Sequence, residues 1–89
     1  MTSYQIAPNI DLQPLDDSLI ALDLAHNVYY ALNETARLLI ENLIQGACVE
    51  QIAQNALEIY EDVELDTLIT DFSNALKKLL ELGILIPCE

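Results

Sequence analysis

The fold turns on Asn27-Val28-Tyr29-Tyr30-Ala31-Leu32-Asn33-Glu34-Thr35-Ala36, where one apolar period gives way to another. Up to Leu32 the period is two: Val28, Tyr30 and Leu32 alternate with Asn27, Tyr29 and Ala31, the pattern of a strand with one apolar face. Beyond Asn33, Ala36, Leu39, Ile40, Leu43 and Ile44 recur as one stripe of a helix. Asn33 is a good N-cap, and Glu34 places an acid at the positive end of the helix dipole. Gly46 stands where a left-handed C-cap residue is wanted. The spacing predicts a strand over Asn27 to Leu32 and a helix from Glu34 to about Gln45, with the apolar strand face toward helices.

Toward the N-terminus, short apolar runs are broken by Pro8-Asn9, Pro14, Asp16-Asp17 and His26-Asn27. This punctuation belongs to short strands joined by tight turns, and it adds strands over Ile10 to Gln13 and Ser18 to Asp23. Toward the C-terminus the only glycines are Gly46 and Gly83 and the only proline is Pro87, so long helices are permitted. A second helix is expected from about Val49 to Tyr60, with Val49, Ile52, Ala53, Ala56, Leu57 and Tyr60 buried. A third, from about Leu65 to Leu82, buries Leu65, Leu68, Ile69, Phe72, Leu76, Leu79 and Leu80 and is closed by Gly83. Ile84-Leu85-Ile86 then packs as a short extended piece. The resulting class is α+β and winged-helix-like, three short N-terminal antiparallel strands followed by three helices, in a single domain over residues 1–89.

Composition excludes several functions. Three Lys plus Arg against fifteen Asp plus Glu give a net charge of −12, which repels a phosphate backbone; no nucleic-acid partner is expected. With 53% hydrophobic and 20% charged residues the chain is too apolar for a disordered acidic tail, and a small core is expected. No apolar run approaches the roughly 18 residues that span a bilayer, and no signal-peptide pattern opens the chain, so no membrane association and a cytoplasmic location are expected. Cys48 and Cys88 make neither a disulfide framework nor a metal set, and reduced thiols are expected.

Catalytic signals are weak. The one histidine, His26, falls in a turn. Cys48 precedes the second helix without a basic partner and is expected to be a small, partly buried residue. Glu61, Asp62, Glu64 and Asp66 crowd together, but a calcium loop needs a central glycine, and none occurs between Gly46 and Gly83; a solvated acidic loop is expected. Asp17-Ser18-Leu19 matches the tripeptide that carries the phosphopantetheine serine of acyl and peptidyl carrier proteins. A carrier modified at Ser18 is therefore an alternative. However, only seventeen residues precede Ser18, two of them proline, where carriers have a full helix and a long loop. A degenerate winged-helix regulatory domain is a further alternative.

The string Tyr29 to Ala36, followed by Leu39-Ile40 and Gly46, resembles the PqqD-like family, the precursor-peptide recognition elements of ribosomal peptide maturation. Val49-Glu50-Gln51-Ile52-Ala53 is similar to that family's second-helix opening and Tyr60 to its closing aromatic. Asp71-Phe72, Leu76, Leu79, Gly83, Ile84 and Leu85 resemble its third helix and exit. The likeness runs from about Ile10 to Ile86; Cys48 replaces a usual hydroxyl residue, and the loop at Glu61 to Glu64 is more acidic than typical.

This resemblance implies no catalysis and no cofactor. It implies a partner, the leader segment of a precursor peptide, handed on to a maturation enzyme such as a leader peptidase or cyclase, in a lasso-peptide-like pathway rather than that of pyrroloquinoline quinone. In the family the leader adds as a strand along the third strand, in a groove shared with the third helix. Here that implies Asn27, Val28, Tyr29, Tyr30, Ala31 and Leu32 on the strand, and Leu68, Asp71, Ala75 and Lys78 on the helix. No Lys or Pro blunts the strand between Asn27 and Leu32, as proteins usually arrange for an edge that must stay unpaired. Two copies pairing by that edge would form a homodimer and compete with the peptide. The net acidity implies basic residues on the leader or on the partner enzyme.

Overall fold

The switch at Asn33 is made by one side chain: its Oδ1 accepts a hydrogen bond from the Ala36 N–H at 2.9 Å, capping the helix that begins one residue later. The computed structural model describes residues 3–88, in the order β1 (Ser3–Ile6), β2 (Ile10–Leu15), β3 (Ser18–Asp23), β4 (Val28–Leu32), α1 (Glu34–Leu43), α2 (Val49–Ala56), α3 (Leu65–Glu81) and β5 (Leu85–Cys88). The strands expected from the sequence are β2, β3 and β4. They form an antiparallel sheet in the order β2-β3-β4, with Leu19 opposite Leu32, Ala21 opposite Tyr30 and Asp23 opposite Val28.

Three features of the strands differ from expectation, each for a local reason. Strand β2 continues through Pro14 to Leu15, because β2 lies at the sheet edge, where a missing N–H breaks no ladder. Asn27 is not in β4; it sits in the preceding turn at φ +60, a left-handed conformation that Asn tolerates. A strand not expected at all, β1, pairs antiparallel with β5 and joins the chain ends, Ile6 opposite Leu85. Ser18, whose counterpart in carrier proteins follows a full helix and a long loop, here opens β3, and its hydroxyl donates to the Leu15 carbonyl across a two-residue hairpin turn. The carrier alternative thereby loses its structural basis.

Helices α1 and α3 both end in a Schellman arrangement. Gly46 N–H donates to Leu43 and Ala47 N–H to Asn42; Gly83 N–H donates to Leu80 and Ile84 N–H to Leu79. The glycines take φ +99 and +77, values that L side chains resist. Helix α2 stops at Ala56, earlier than the apolar stripe suggests, and Ile59 and Tyr60 turn back to bond the Ala56 carbonyl. Phe72 of α3 is fully buried among Leu39 and Ile40 of α1, Ile52 of α2 and the Ile84-Leu85 exit. Leu19, Ala21 and Leu32 supply the sheet's share of that core.

Candidate functional site

Among the described residues β4 is bonded only to β3, so its outer edge presents free main-chain donors and acceptors. Beside that edge lies a groove of about 490 Å³. Strand β4 contributes Tyr29, Tyr30, Ala31 and Leu32; α1 and its cap contribute Asn33 and Ala36; α3 and its C-cap contribute Ala75, Lys78, Leu79 and Leu82. The α3 residues fall on one face because 75, 78, 79 and 82 are three and four apart. The two helix alanines, Ala36 and Ala75, on a groove floored by Leu32 and Leu79 leave volume for a large apolar side chain.

The pleat assigns the β4 side chains. Leu32 is buried and Tyr30 half-buried on the core side, whereas Tyr29 is 69% exposed on the outer face. Val28, expected to share the apolar face, is 45% exposed, because it stands opposite Asp23 at the end of the sheet rather than over the helices.

The structure therefore brings together Tyr29, Tyr30, Ala31, Leu32, Ala75 and Lys78 of the residues implied by the resemblance. Asn27 and Val28 lie at the strand's entry, outside the groove lining. Leu68 is only 7% exposed and belongs to the core, and Asp71 is exposed one turn before the groove begins. Of that helix stripe, Ala75 and Lys78 line the groove, which lies toward the C-terminal half of α3. Asn33, Ala36, Leu79 and Leu82 were not singled out as groove residues. Their signal was masked, since cap, small helix residue and core leucine each have a sufficient structural role of their own.

The entry to β4 is held by Asp23, which sequence reasoning passed over. Its Oδ1 accepts from Asn9 Nδ2 at 2.9 Å and from the N–H groups of Ala25 and His26 at 3.1 Å each. Its Oδ2 lies 2.8 Å from His26 Nδ1. The Asn9 amide is the largest of the effects that hold this carboxyl below the ordinary aspartate range, and the His26 ring and main chain act in the same sense against the opposing effect of burial. A usable signal existed in Asp23-x-x-His26-Asn27, since an Asp at the start of a turn commonly accepts from the N–H groups that follow.

A second, smaller cleft of about 270 Å³ lies on the opposite flank of α1, lined by Asp16, Asp17, Glu34, Arg37, Leu38, Glu41, Ile59 and Tyr60. Its one cation is occupied. Arg37 Nη1 donates to the carbonyls of Asp16 at 2.8 Å and Ser18 at 3.2 Å, and its Nε lies 3.5 Å from Glu41 Oε1. Arg37 thus ties the β2–β3 turn to α1. No group of three or more metal-ligating side chains is assembled among the described residues, and no helix among them is long and apolar enough to cross a membrane.

An open strand edge beside a helix-lined, mainly apolar groove defines a class of small α+β domains able to take up an extended peptide segment. The family model for coenzyme PQQ synthesis protein D (PqqD) matches residues 18–85, and the chain belongs to that family. Among solved structures, lasso peptide synthetase B1 complexed with the leader peptide is similar at 28% identity and TM-score 0.87, over 96% of this chain and 99% of that one. TbiB1 in complex with the TbiA(beta) leader peptide is similar at 22% identity and TM-score 0.79, over 91% and 93%, a likeness of fold alone. Comparison with curated proteins found no match.

Proposed function

We propose that this chain is a non-catalytic recognition protein that binds the leader segment of a ribosomally made precursor peptide and delivers it to a maturation enzyme, in a lasso-type rather than a quinone-cofactor pathway. The observation that carries the proposal is the open β4 edge beside the groove it forms with α1 and α3. It is supported by likeness over nearly the whole chain to a lasso peptide synthetase B1 that was solved with a leader peptide. The leader adds as a fourth strand: main-chain bonds to β4 supply much of the affinity, and side chains on one face of the leader enter the groove. Burying one large apolar leader side chain there contributes about 1.5–3 kcal/mol. Tyr30, Leu32, Ala36, Ala75, Lys78, Leu79 and Leu82 shape that groove, and Tyr29 and Ala31 flank the leader from the outer face.

Strand addition has a signature that other docking modes lack, because only alternate residues of the added strand bond to β4. Synthetic leaders of the precursor encoded beside this chain, each N-methylated at one successive position, are expected to lose affinity with a period of two. Amide shifts in the labelled protein are expected to concentrate on Val28 to Leu32 and Ala75 to Leu82. Saturable binding with no such alternation, or with shifts elsewhere, would reject strand addition; no saturable binding would reject leader recognition itself.

A further inference from the structure

The two clefts have opposite electrostatic character. Four carboxylates and an engaged arginine line the smaller one. Among the described residues, the β4–α3 groove is lined by one charged side chain, Lys78, and by no carboxylate, on a chain with fifteen acidic residues and three basic ones. Lys78 is also without an ionic partner: the ion pairs among the described residues are His26 with Asp23 and Arg37 with Glu41. A lysine in the last turn of α3 complements the helix dipole, and Lys78 holds that position; its neighbour Lys77, one residue earlier, lies outside the groove lining.

Covering the groove with a peptide strips water from the Lys78 ammonium, which is unfavourable unless a charge of opposite sign replaces it. We propose that Lys78 is a specificity-determining residue that selects an acidic residue of the bound peptide. That residue lies two positions from the large apolar residue filling the space beside Ala75. The spacing follows from geometry. Ala75 and Lys78 are separated by about 4.5 Å along the helix, whereas successive same-face residues of a strand are separated by about 6.6 Å, a difference the lysine stem spans. The groove thus takes a peptide with an apolar residue and a carboxylate in alternate positions, although the protein as a whole is strongly acidic. The inference rests on the leader-binding proposal above and adds the chemistry of the ligand to it.

The test measures the affinity of the full chain for the synthetic leader of the precursor encoded beside it, at low and high salt. Lys78→Glu is expected to weaken binding about tenfold or more at low salt, and Lys77→Glu, of equal charge, by less than about threefold. Replacing each leader Asp or Glu in turn by Lys is expected to identify one position whose substitution weakens binding to the parent protein and restores it to Lys78→Glu. Circular dichroism of Lys78→Gln, expected to match the parent, checks that α3 is intact. Equal losses for the two lysine variants would assign the effect to the overall field and overturn the proposal, as would the absence of any compensating leader position. A parent protein that fails to bind the leader overturns both proposals; a parent that binds while Lys78→Glu is silent overturns this one alone.

Discussion

Asp23 shows how one buried side chain governs an edge several residues away. It is 4% exposed, yet it satisfies Asn9, two turn N–H groups and the His26 ring, and in doing so it fixes the turn that starts β4. Its folded-state pKa lies below the ordinary value, chiefly through the Asn9 amide. The stability it contributes is therefore fully present above the ordinary aspartate range and is lost as pH falls through the lower folded-state value. Asp23→Asn retains an oxygen that accepts from Asn9, Ala25 and His26 but removes the titration. The expected outcome is a shallower acid limb for the variant when unfolding by urea is followed from about pH 5 to about pH 2. An unchanged slope would mean that other carboxylates account for the acid sensitivity.

At the scale of elements, the two Schellman ends set where the helices release the chain. Gly83 is the more consequential, because Ile84 and Leu85 follow it directly into the core and into β5. A Cβ at position 83 would meet nothing within 4 Å, so the cost of Gly83→Ala is one of backbone conformation alone. It is expected to be about 1–2 kcal/mol, which corresponds to a fall in Tm of roughly 4–16 °C for a domain of this size. Thermal unfolding of the variant measures it directly, and an unchanged Tm would mean that the end of α3 does not depend on the left-handed turn. Strand β2 makes the complementary point. Pro14 reads as a strand breaker until the sheet order places it at an edge, where the residue is harmless.

At the scale of the molecule, the two flanks of α1 border different surfaces. Ala36 faces the groove, while Glu34, Arg37, Leu38 and Glu41 line the acidic cleft. A net charge of −12 steers basic surfaces toward the protein irrespective of what the groove holds. If the maturation enzyme proposed above has a complementary basic surface, its association is accordingly expected to slow about tenfold or more between low and high ionic strength, chiefly in the association rate. Stopped-flow mixing at two salt concentrations distinguishes this from a contact driven by apolar burial, for which the rate would barely change.

The sequence by itself determined most of the elements and, through the family resemblance, pointed to six of the residues that line the groove. Apolar periodicity, the Asn33 cap and the two glycines are local signals, and they placed β3, most of β2 and β4, and all three helices to within a few residues. Tertiary structure alone decided what depends on pairing and crossing. Whether β4 is an edge, how far along α3 the groove extends, and that Leu68 is core while Ala75 and Lys78 face the groove all follow from how sheet and helix pack. The β1–β5 pair joins the two chain ends, and the Asn9–Asp23 bond joins residues fourteen apart in sequence. Such contacts leave little trace in local pattern, because the free energy that selects them comes from partners that only the folded chain brings together.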